Sequence, residues 1–446
     1  MDVVQKLIER DRAKRLRICI CGDAMVDQYV HGLLEPSQDG CQKFLATSEH
    51  LRPGGAANAA RQLCNWNVEA MLIAPWNCEK GFSGCNVELC HRIRSNSLRK
   101  IRYIDDATGR IAFRHDTGSA HHTITELAEI RDLTVKAVRT MGFDAVLISD
   151  YDKGFLDYRT IKAIIVECNT RKIPVVADGK KRPKNYEGAL IKCNGDYDCH
   201  NDTFGFPRVV TFGQLLPLLY DEDGVATSMP FSRPIVRCVN HVGAGDCFGA
   251  HLALALAHGI ALDEAAAIAH SAGRVYVQHQ HSRPPWPFEV RKDMTGSKRV
   301  DFTDLRHLRE SLPGKRIVFT NGVFRLGCHA GHSWLMRWAK QQGDVLVVGV
   351  NTDESARALR PGEFVLSEGE RVQILESMEA VDWVATFGAE EPIEAIRMLQ
   401  PDVLVKGSEY SGQRVPGDDL VKDVRFAPES PFPAHCTDLV EAMRCE

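Results

Sequence analysis

Short, mostly apolar runs recur along the first two thirds of the chain, and several end in polar or glycine residues. They lie at residues 17–23, 145–150, 174–178, 189–194 and 208–212. Runs of this length between turn-forming residues are typical of buried β-strands. Segments of helical composition separate them, for example residues 158–171. The alternation predicts an α/β fold with a mostly parallel sheet, because parallel strands need long crossover connections.

Polar side chains follow the strands of this predicted sheet. Asp23, Asp150, Asp178 and Asn194 each stand where an apolar run ends. In open α/β sheets, ligands bind beyond the carboxyl ends of the strands. We therefore expect these four residues to border one ligand site.

A glycine-rich turn precedes the longest alanine- and leucine-rich run of the chain. Gly243, Ala244 and Gly245 lead into Asp246 and then into a predicted helix up to residue 257. Glycine lets backbone N–H groups approach a ligand, and the start of a helix attracts anions. The pattern suits a phosphoryl-transfer centre in which Asp246 is the general base. A plain turn with Asp246 as the N-cap of the helix is the alternative.

A second glycine pair precedes another alanine-rich helix. Gly54 and Gly55 are followed by a helical pattern that has Asn58 one turn inside. This arrangement suits a polar ligand at the start of the helix. Close packing of a helix made of small residues explains the same composition, and both interpretations stay open on these residues alone.

Taken in order, these pieces resemble the ribokinase-like (PfkB-type) sugar kinases, and in spacing the heptose 7-phosphate kinase branch. The resemblance covers about residues 15–290, and its motifs are Gly22-Asp23 with Asp27, residues 53–58, Asp150-Tyr151 with Lys153-Gly154, and residues 243–246. It implies a ribokinase-like α/β domain that uses ATP and Mg²⁺. The sugar-binding residues that it implies are Asp27, Gly54, Gly55, Asn58 and Lys153. The nucleotide-binding residues that it implies are Asn194, Gly243, Ala244 and Gly245, with Asp246 as the base.

Two positions depart from this family. Residues 240–242 are Asn-His-Val where the family has Asp-x-Thr, and Asn194 is followed three residues later by Tyr197 instead of glutamate. Asp196 and Asp198 are neighbouring replacements for that glutamate. Between residues 195 and 235 we expect no clear strand–turn–strand.

A proline-rich stretch at residues 282–288 and a polar stretch at residues 292–300 precede a second series of strands and helices. We place the first domain at residues 1–290, a linker at 291–311 and the second domain at 312–446.

Two histidines stand at the predicted start of a helix in the second domain. His329 and His332 are separated by Ala-Gly, and a later strand delivers Lys406 to the same edge of the predicted sheet. Histidine N–H groups at a helix start can bind phosphates. A metal pair and a purely structural role are the alternatives, although no third ligand has a zinc-type spacing.

These elements resemble the HxGH nucleotidyltransferases, in particular their sugar-phosphate branch, over about residues 312–446. The matching pieces are residues 319–322, 329–332, 349–353, 380–384 and 404–410, with Arg371. The resemblance implies a Rossmann-like domain in which His329, His332 and Lys406 are catalytic. The nucleotide-binding residues that it implies are Thr320, Asn321, Asp353 and Arg371.

This second resemblance also has departures. Arg325 stands where the family has aspartate, and one extra residue precedes His329. We expect the insertion to tilt the histidine pair. The C-terminal Ser-Thr-Thr element of the family appears only as Cys436-Thr437-Asp438.

The two domains in this order resemble bifunctional heptose 7-phosphate kinase/heptose 1-phosphate adenylyltransferases. The implied activity is phosphorylation of a heptose 7-phosphate at the anomeric position, followed by nucleotidyl transfer that gives ADP-heptose and pyrophosphate. The same relay on another sugar phosphate or with CTP is an alternative. A protein that binds nucleotide or sugar phosphate without catalysis is another.

Charge and cysteine usage exclude some classes of partner. A net charge of −4 gives no support for nucleic-acid or membrane-surface binding, and no apolar run is long enough to span a bilayer.

The 15 cysteines contain no C-x-x-C pair. They indicate reduced thiols in a cytoplasmic protein, and a metal cluster of Cys78, Cys85 and Cys90 is the alternative. The expected partners are a sugar phosphate and a nucleotide, and the resemblance implies a homo-oligomer.

Overall fold

The structure is a computed structural model of the 446-residue chain. It describes residues 3–75, 82, 85–92, 98–118, 122–180, 183–195, 205–228, 234–279, 283–363 and 365–432. The chain divides into two compact units, Met1–Met294 and Thr295–Glu446. Within the described residues, no helix combines the length and the apolar composition that crossing a membrane would take.

The first unit has two sheets. Its strands are β1 (Leu16–Gly22), β2 (Ala24–Pro36), β3 (Gln42–Gly55), β4 (Val68–Ala74), β5 (Val87–Arg92), β6 (Arg99–Asp105), β7 (Arg110–Thr117), β8 (Ala145–Asp150), β9 (Val175–Gly179), β10 (Leu190–Asn194), β11 (Arg208–Phe212), β12 (Leu215–Tyr220) and β13 (Ala226–Ser228). Its helices are α1 (Val3–Ala13), α2 (Ala56–Arg61), α3 (Ile124–Thr140), α4 (Tyr158–Thr170), α5 (Ala244–Ala257), α6 (Leu262–Val277) and α7 (Pro287–Thr295).

The larger sheet has the order β13-β12-β11-β10-β9-β8-β1-β4-β5 and is parallel from β5 to β11. Alternate residues of its central strands pack into different layers. Ile18, Ile20 and Leu147 belong to the core cluster with α2, α5 and α6, whereas Cys19 and Cys21 belong to the cluster with α3 and α4. Because both faces are covered, these strands appear in the sequence as continuous apolar runs.

The smaller sheet, of order β3-β2-β6-β7, was not predicted. β2 follows β1 after the single residue Asp23, and it forms a long hairpin with β3 that runs from the pair Ala24–Gly55 to the pair Pro36–Gln42. Most residues of β3 and β7 are exposed. Such strands carry no apolar run and little alternation, so the hydrophobic pattern contains no signal for them.

A strand–turn–strand is present where we expected none. β11 and β12 pair in antiparallel fashion from Arg208–Tyr220 to Phe212–Leu215. The hairpin is stabilised by apolar contacts of its alternate residues, Val209 and Leu219 among them. Asp196, Tyr197 and Asp198 lie outside the described residues.

The second unit contains one parallel sheet within its described residues. Its strands are β14 (Arg299–Val300), β15 (Ile317–Gly322), β16 (Val345–Asn351), β17 (Trp383–Phe387), β18 (Val403–Lys406) and β19 (Val424–Phe426), in the order β14-β17-β16-β15-β18-β19. Its helices are α8 (Leu305–Ser311), α9 (Ala330–Lys340), α10 (Asp353–Leu359), α11 (Glu368–Glu376) and α12 (Ile393–Leu399). The strand order reverses at β15, so the crevice between the carboxyl ends of β15 and β18 is the expected ligand site of a doubly wound sheet.

The segment 291–311, which we expected to be a linker, is structured. Its first residues complete α7, and from Thr295 onward it belongs to the second unit. β14 pairs with β17, and Val300, Leu305 and Leu308 are fully buried. These three buried residues are too widely spaced to form an apolar run, and polar and glycine residues precede them between 292 and 300. The sequence pattern therefore does not reveal that the segment is packed.

Candidate active sites

The turn at residues 243–246 is held in one conformation by its neighbours. Gly243, the N-cap of α5, has φ +89°, and a Cβ there would lie 2.4 Å from Tyr276 Oη and 2.5 Å from Asn58 Nδ2. Only glycine fits this position. Gly243 provides no side-chain cap for this 14-residue helix. Its start therefore suits an anionic ligand.

Asp246 lies in the first turn of α5 and is 4% exposed. Asn58 Nδ2 donates to its Oδ2 at 2.8 Å, and Tyr151 Oη donates to its Oδ1 at 2.7 Å. Burial raises the pKa of Asp246 to about 6, and the two hydrogen bonds oppose this increase. A carboxylate with this pKa is ionised at pH 7 and basic enough to accept a proton.

Asn58 positions this base in the structure. Its Nδ2 is bonded to Asp246, and its Oδ1 accepts from Gln62 Nε2 at 2.9 Å. Both polar ends of Asn58 are thus engaged with the protein, whereas the resemblance implied a contact with the sugar.

The other implied sugar-binding residues surround Asp27 on the smaller sheet. Arg102 Nη1 donates to Asp27 Oδ1 at 2.6 Å, and both residues are buried. A Cβ on Gly54 would lie 2.5 Å from Asp27 Oδ2, and Gly55 has φ +58°. Gly54 therefore leaves the space that the Asp27 carboxylate occupies, whereas a Cβ on Gly55 would lie 2.3 Å from the backbone oxygen of Asp23.

The loop after β8 is fixed by a buried carboxylate. Asp23 accepts from the backbone N–H groups of Tyr151 at 2.8 Å, Lys153 at 3.1 Å and Phe155 at 3.2 Å. These bonds hold the Tyr151 hydroxyl beside Asp246. The pKa of Asp116 on β7 is lowered first by its hydrogen bond from Arg114, and the charge of the exposed Lys153 adds to this decrease.

The implied nucleotide-binding residues of the first unit converge on one cavity. Asn194, Ala244 and Gly245 line a space of about 310 Å³ together with residues of β11, α5 and α6. Asn194 Oδ1 accepts from Thr211 Oγ1 at 3.0 Å and from Lys192 Nζ at 3.3 Å. Gly243 does not line the cavity itself, but its backbone forms the turn that precedes Ala244 and Gly245.

We expect the variant Tyr151→Phe to shift the acid limb of the kinase pH profile upward. Loss of the hydroxyl removes a hydrogen bond that lowers the pKa of Asp246, so the base is protonated at a higher pH than about 6. One hydrogen bond corresponds to a shift of roughly 0.5–1 pH unit. The measurement is kcat/KM for sugar phosphorylation between pH 5 and 9.

The exposed Tyr158 of the same unit offers a matched control. Tyr158→Phe also removes a tyrosine hydroxyl, but this hydroxyl is bonded to Lys162 Nζ and not to Asp246. An acid limb that stays in place in Tyr151→Phe would mean that the Tyr151–Asp246 bond does not persist in the working enzyme.

In the second unit, the two histidines remain together at the start of α9. His329 is the N-cap, and its Nδ1 accepts from Gly331 N at 3.1 Å. The rings of His329 and His332 have centroids 4.0 Å apart at an angle of 32°. Both residues line a cavity of about 480 Å³ that also includes Gly407, Ser408 and Glu409.

The insertion before His329 is accommodated without separating the pair. Gly327 adopts φ +81° and Phe324 adopts φ +51°, and Gly327 N donates to the Phe324 carbonyl at 2.9 Å in a turn. Arg325 forms an ion pair with Glu363 and bonds through its carbonyl to Leu366 N at 2.8 Å. Arg325 therefore stabilises the loop, and the expected tilt of the histidine pair stays a prediction.

Lys406 reaches the same site from β18. Its Nζ donates to Asn321 Oδ1 at 2.7 Å at the end of β15, next to the buried Thr320. Burial lowers the pKa of Lys406 to about 8, and Glu409 opposes this decrease. The Lys406 side chain is thus mostly protonated at pH 7, but it loses its charge as the pH rises through about 8.

Arg371 lies in the interior of the second unit, and the partly exposed Asp353 is its ion-pair partner. Arg371 is 0% exposed, and its guanidinium donates to the carbonyls of Leu366, Val323 and Asn351 and to Asp353 Oδ1. Neither Arg371 nor Asp353 is among the described residues that line the cavity. The hydrogen bonds of Arg371 stabilise the loops around β16, and a direct contact of Arg371 or Asp353 with the nucleotide stays a prediction.

Sequence reasoning missed several charged residues near Asp246. Lys100, on the unpredicted β6, lies 4.7 Å from the centre of the Tyr151 ring, and Lys180 lies 5.8 Å from it. Lys192 is buried on β10. A lysine inside a strand of buried type was a signal for Lys192, whereas nothing in the local sequence points to Lys100.

The folds and sites define a two-domain transferase. The profile of the pfkB family carbohydrate kinases matches residues 217–289, and the profile described as cytidylyltransferase-like matches residues 319–431. The chain is therefore a sugar kinase joined to a nucleotidyltransferase, which confirms the predicted fold class and enzyme class.

Similarity to curated proteins extends over both units. The bifunctional protein HldE of Nitratiruptor sp. is 30% identical over 456 residues, which cover 92% of this chain and 95% of that protein. The corresponding protein of Wolinella succinogenes is 33% identical and covers 92% and 94%. The structure of Arabidopsis thaliana ribokinase with ribose and ATP matches 63% of this chain and 99% of its own, with 17% identity and a TM-score of 0.47. On the full-length similarity, the chain belongs to the family of bifunctional HldE proteins.

Proposed function

We propose that the chain activates a heptose in two steps. The first unit transfers the γ-phosphoryl group of ATP to the anomeric hydroxyl of a heptose 7-phosphate. The second unit then joins the resulting sugar 1-phosphate to a nucleotidyl group of ATP, giving ADP-heptose and pyrophosphate. The observation that carries the proposal is the buried Asp246, whose pKa is raised to about 6 at the start of an uncapped helix.

In the first step, Asp246 takes the proton of the anomeric hydroxyl while that oxygen attacks the γ-phosphorus. The bond between the γ-phosphorus and the bridging oxygen breaks, and ADP leaves. The N–H groups of Gly243 and Gly245 in the turn bind the phosphoryl oxygens. Asn58 and Tyr151 keep the carboxylate oriented.

Charges on the smaller sheet support a substrate that already carries a phosphate. Lys100 and Arg102 on β6 and Arg114 on β7 interact electrostatically with Asp27. Burial lowers the pKa of Lys100, and Asp27 opposes the decrease. Lys153 is exposed beside β7. Arg102 is ion-paired with Asp27 and Arg114 with Asp116. Lys100 and Lys153 are therefore the cations that support binding of a phosphate.

In the second step, an oxygen of the sugar 1-phosphate attacks the α-phosphorus of ATP, and pyrophosphate leaves. His329, His332 and Lys406 would neutralise the phosphates, and the protein supplies no covalent nucleophile. His329 and His332 line a cavity of about 480 Å³, and Lys406 immediately precedes Gly407 of its lining. A cavity of this size accommodates a nucleotide, which supports this role.

Mg²⁺ enters the proposal as part of the MgATP substrate. Among the residues that the structure describes, no group of three or more histidine, cysteine, aspartate or glutamate side chains is arranged to hold a metal ion. Mg²⁺ is commonly held by one or two carboxylates together with substrate phosphates and water.

We also propose a cytoplasmic homo-oligomer. The described cysteines are free thiols, in keeping with a reducing compartment. On the smaller sheet, Phe113 is 45% exposed and Ile111 is 54% exposed, and the Phe113 ring stacks on Tyr103 at 4.1 Å. Exposed apolar side chains that cluster in this way are typical of a protein interface.

The deciding experiment follows ADP and pyrophosphate separately with the full chain, MgATP and a panel of sugar phosphates. Heptose 7-phosphate should release both products, and heptose 1-phosphate should release pyrophosphate alone. CTP in place of ATP tests the nucleotide of the second step. Release of both products from a different sugar phosphate would replace heptose in the proposal, and nucleotide binding without turnover on any sugar would identify a binding protein.

A further inference from the structure

A buried ammonium group stands at the phosphoryl-transfer centre and takes no part in the steps above. Lys192 is 1% exposed, and its register partner on the neighbouring strand β9 is Asp178. Its Nζ donates to Asp178 Oδ2 at 3.0 Å and to Asn194 Oδ1 at 3.3 Å. Lysine is almost never fully buried unless it is paired, because an ammonium loses its hydration. An apolar side chain would fill this strand position at lower cost.

The ammonium lies against the turn that precedes Asp246. An ideal Cβ on Gly245 would stand 2.9 Å from Lys192 Nζ and 3.8 Å from Asp178 Oδ2, with no other described heavy atom beyond its own neighbourhood within 4 Å. Gly245 does not have the left-handed φ that demands glycine. The space taken by the Lys192 ammonium is therefore the reason for glycine at this position.

Of the two charges in the Lys192–Asp178 pair, the cation is the one nearer the turn. The 2.9 Å and 3.8 Å separations are measured from the same point on Gly245. In a site from which water is excluded, such a charge is only weakly screened. An anion bound by the N–H groups of the turn would therefore experience a net attraction from the pair.

We propose that Lys192 is a further residue of the phosphoryl-transfer centre, and that its ammonium stabilises the negative charge of the phosphoryl group bound at the turn. Asp178 and Asn194 fix the ammonium in place. Lys192 forms no covalent bond. A preorganised charge acts most strongly on the charge distribution of the transition state. The inference rests on the proposed kinase reaction of the first unit.

Removal of the charge is the first test. In Lys192→Met, we expect kcat for sugar phosphorylation to fall by roughly 10²- to 10³-fold, with the KM for both substrates changed by no more than about threefold. Loss of one partner leaves a buried Asp178 uncompensated, so the double variant Asp178→Asn/Lys192→Met is measured as well and should show the same loss of kcat. Lys162→Met, which removes an exposed lysine of α4, is the control.

Displacement of the charge is the second test. Gly245→Ala keeps Lys192 but puts a methyl group where the ammonium lies, so we expect kcat to fall. In a Lys192→Ala background the same methyl group has space, and its added effect should shrink by at least about fivefold, a non-additivity typical of groups in contact. Gly249→Ala is the matched control in the same helix, because its Cβ would meet only Leu147 and Asp178 at 3.6 Å or more.

Rescue by an amine separates charge from structure. Ethylamine or propylamine should restore part of the kcat of Lys192→Ala and leave the wild-type rate unchanged. Unchanged kcat in both Lys192→Met and Asp178→Asn/Lys192→Met, or additive effects of Gly245→Ala and Lys192→Ala, would overturn the inference.

Failure of the proposed function gives a different result, because the wild-type chain then releases ADP from no sugar phosphate. In that case the role of Lys192 is tested by measuring nucleotide affinity. All chains compared carry Lys406→Met, which disables the site of the second unit. ATP affinity at least about tenfold weaker in Lys192→Met, with adenosine affinity unchanged, supports the charge role. Equal ATP affinities contradict it.

Discussion

Replacement of Asp246 by asparagine lowers kcat for sugar phosphorylation by roughly 10²- to 10⁴-fold, the range expected for loss of a general base. The amide has nearly the shape of the carboxylate but cannot accept the proton of the sugar hydroxyl. Its oxygen can still accept from Asn58 Nδ2, and its NH₂ group can donate to the Tyr151 oxygen, which rotates its own hydrogen away. The hydrogen bonds of the site are thus retained while the base is lost.

Three further measurements serve as controls for Asp246→Asn: the second reaction, thermal unfolding and the variant Asp263→Asn. Pyrophosphate release from a sugar 1-phosphate belongs to the other unit and should be unchanged. Burial raises the pKa of Asp246, so its charge destabilises the folded state above about pH 6, and the variant should unfold at an equal or higher temperature than the wild type at pH 8. Asp263→Asn, at the exposed start of α6, should keep full kinase activity. Full phosphorylation by Asp246→Asn would remove the proposed base.

The parts of the fold that could be predicted are those with a simple burial pattern. β8 and β11 have the bounds that their apolar runs indicate, because helices cover β8 on both faces and a run therefore marks the whole strand. The smaller sheet has no such pattern, because most of β3 and β7 is exposed. Sequence periodicity reports burial, so a sheet whose side chains face solvent and substrate cannot be found from it.

The candidate sites show the same division. The glycine turns and the histidine pair are local motifs, so their residues could be named from sequence. The partners of Asp246 are not local, since Tyr151 is 95 residues away and Asn58 is 188 residues away in the chain. Arg371 shows the reverse case, because a motif names the residue but only the structure reveals a guanidinium enclosed by backbone carbonyls.

Loss of the Lys406 ammonium should have a comparable effect on the second reaction. We expect Lys406→Met to lower kcat for nucleotidyl transfer by roughly 10²- to 10³-fold, with sugar phosphorylation unchanged. The side chain is 7% exposed, its Nζ is held by Asn321 Oδ1 at 2.7 Å, and it points to the edge of the sheet where the strand order reverses. Lys422→Met, which removes an exposed lysine of the same unit, should leave both rates unchanged.

The titration of Lys406 gives this prediction a second measurement. Burial lowers its pKa to about 8, so the ammonium is lost as the pH rises through that value. Pyrophosphate release by the wild type should therefore decrease above about pH 8. A guanidinium stays charged throughout this range, so Lys406→Arg should be slower at pH 7 yet lack the decrease. A basic limb that persists unchanged in Lys406→Arg would assign it to another group, and unchanged pyrophosphate release by Lys406→Met would exclude the ammonium from the reaction.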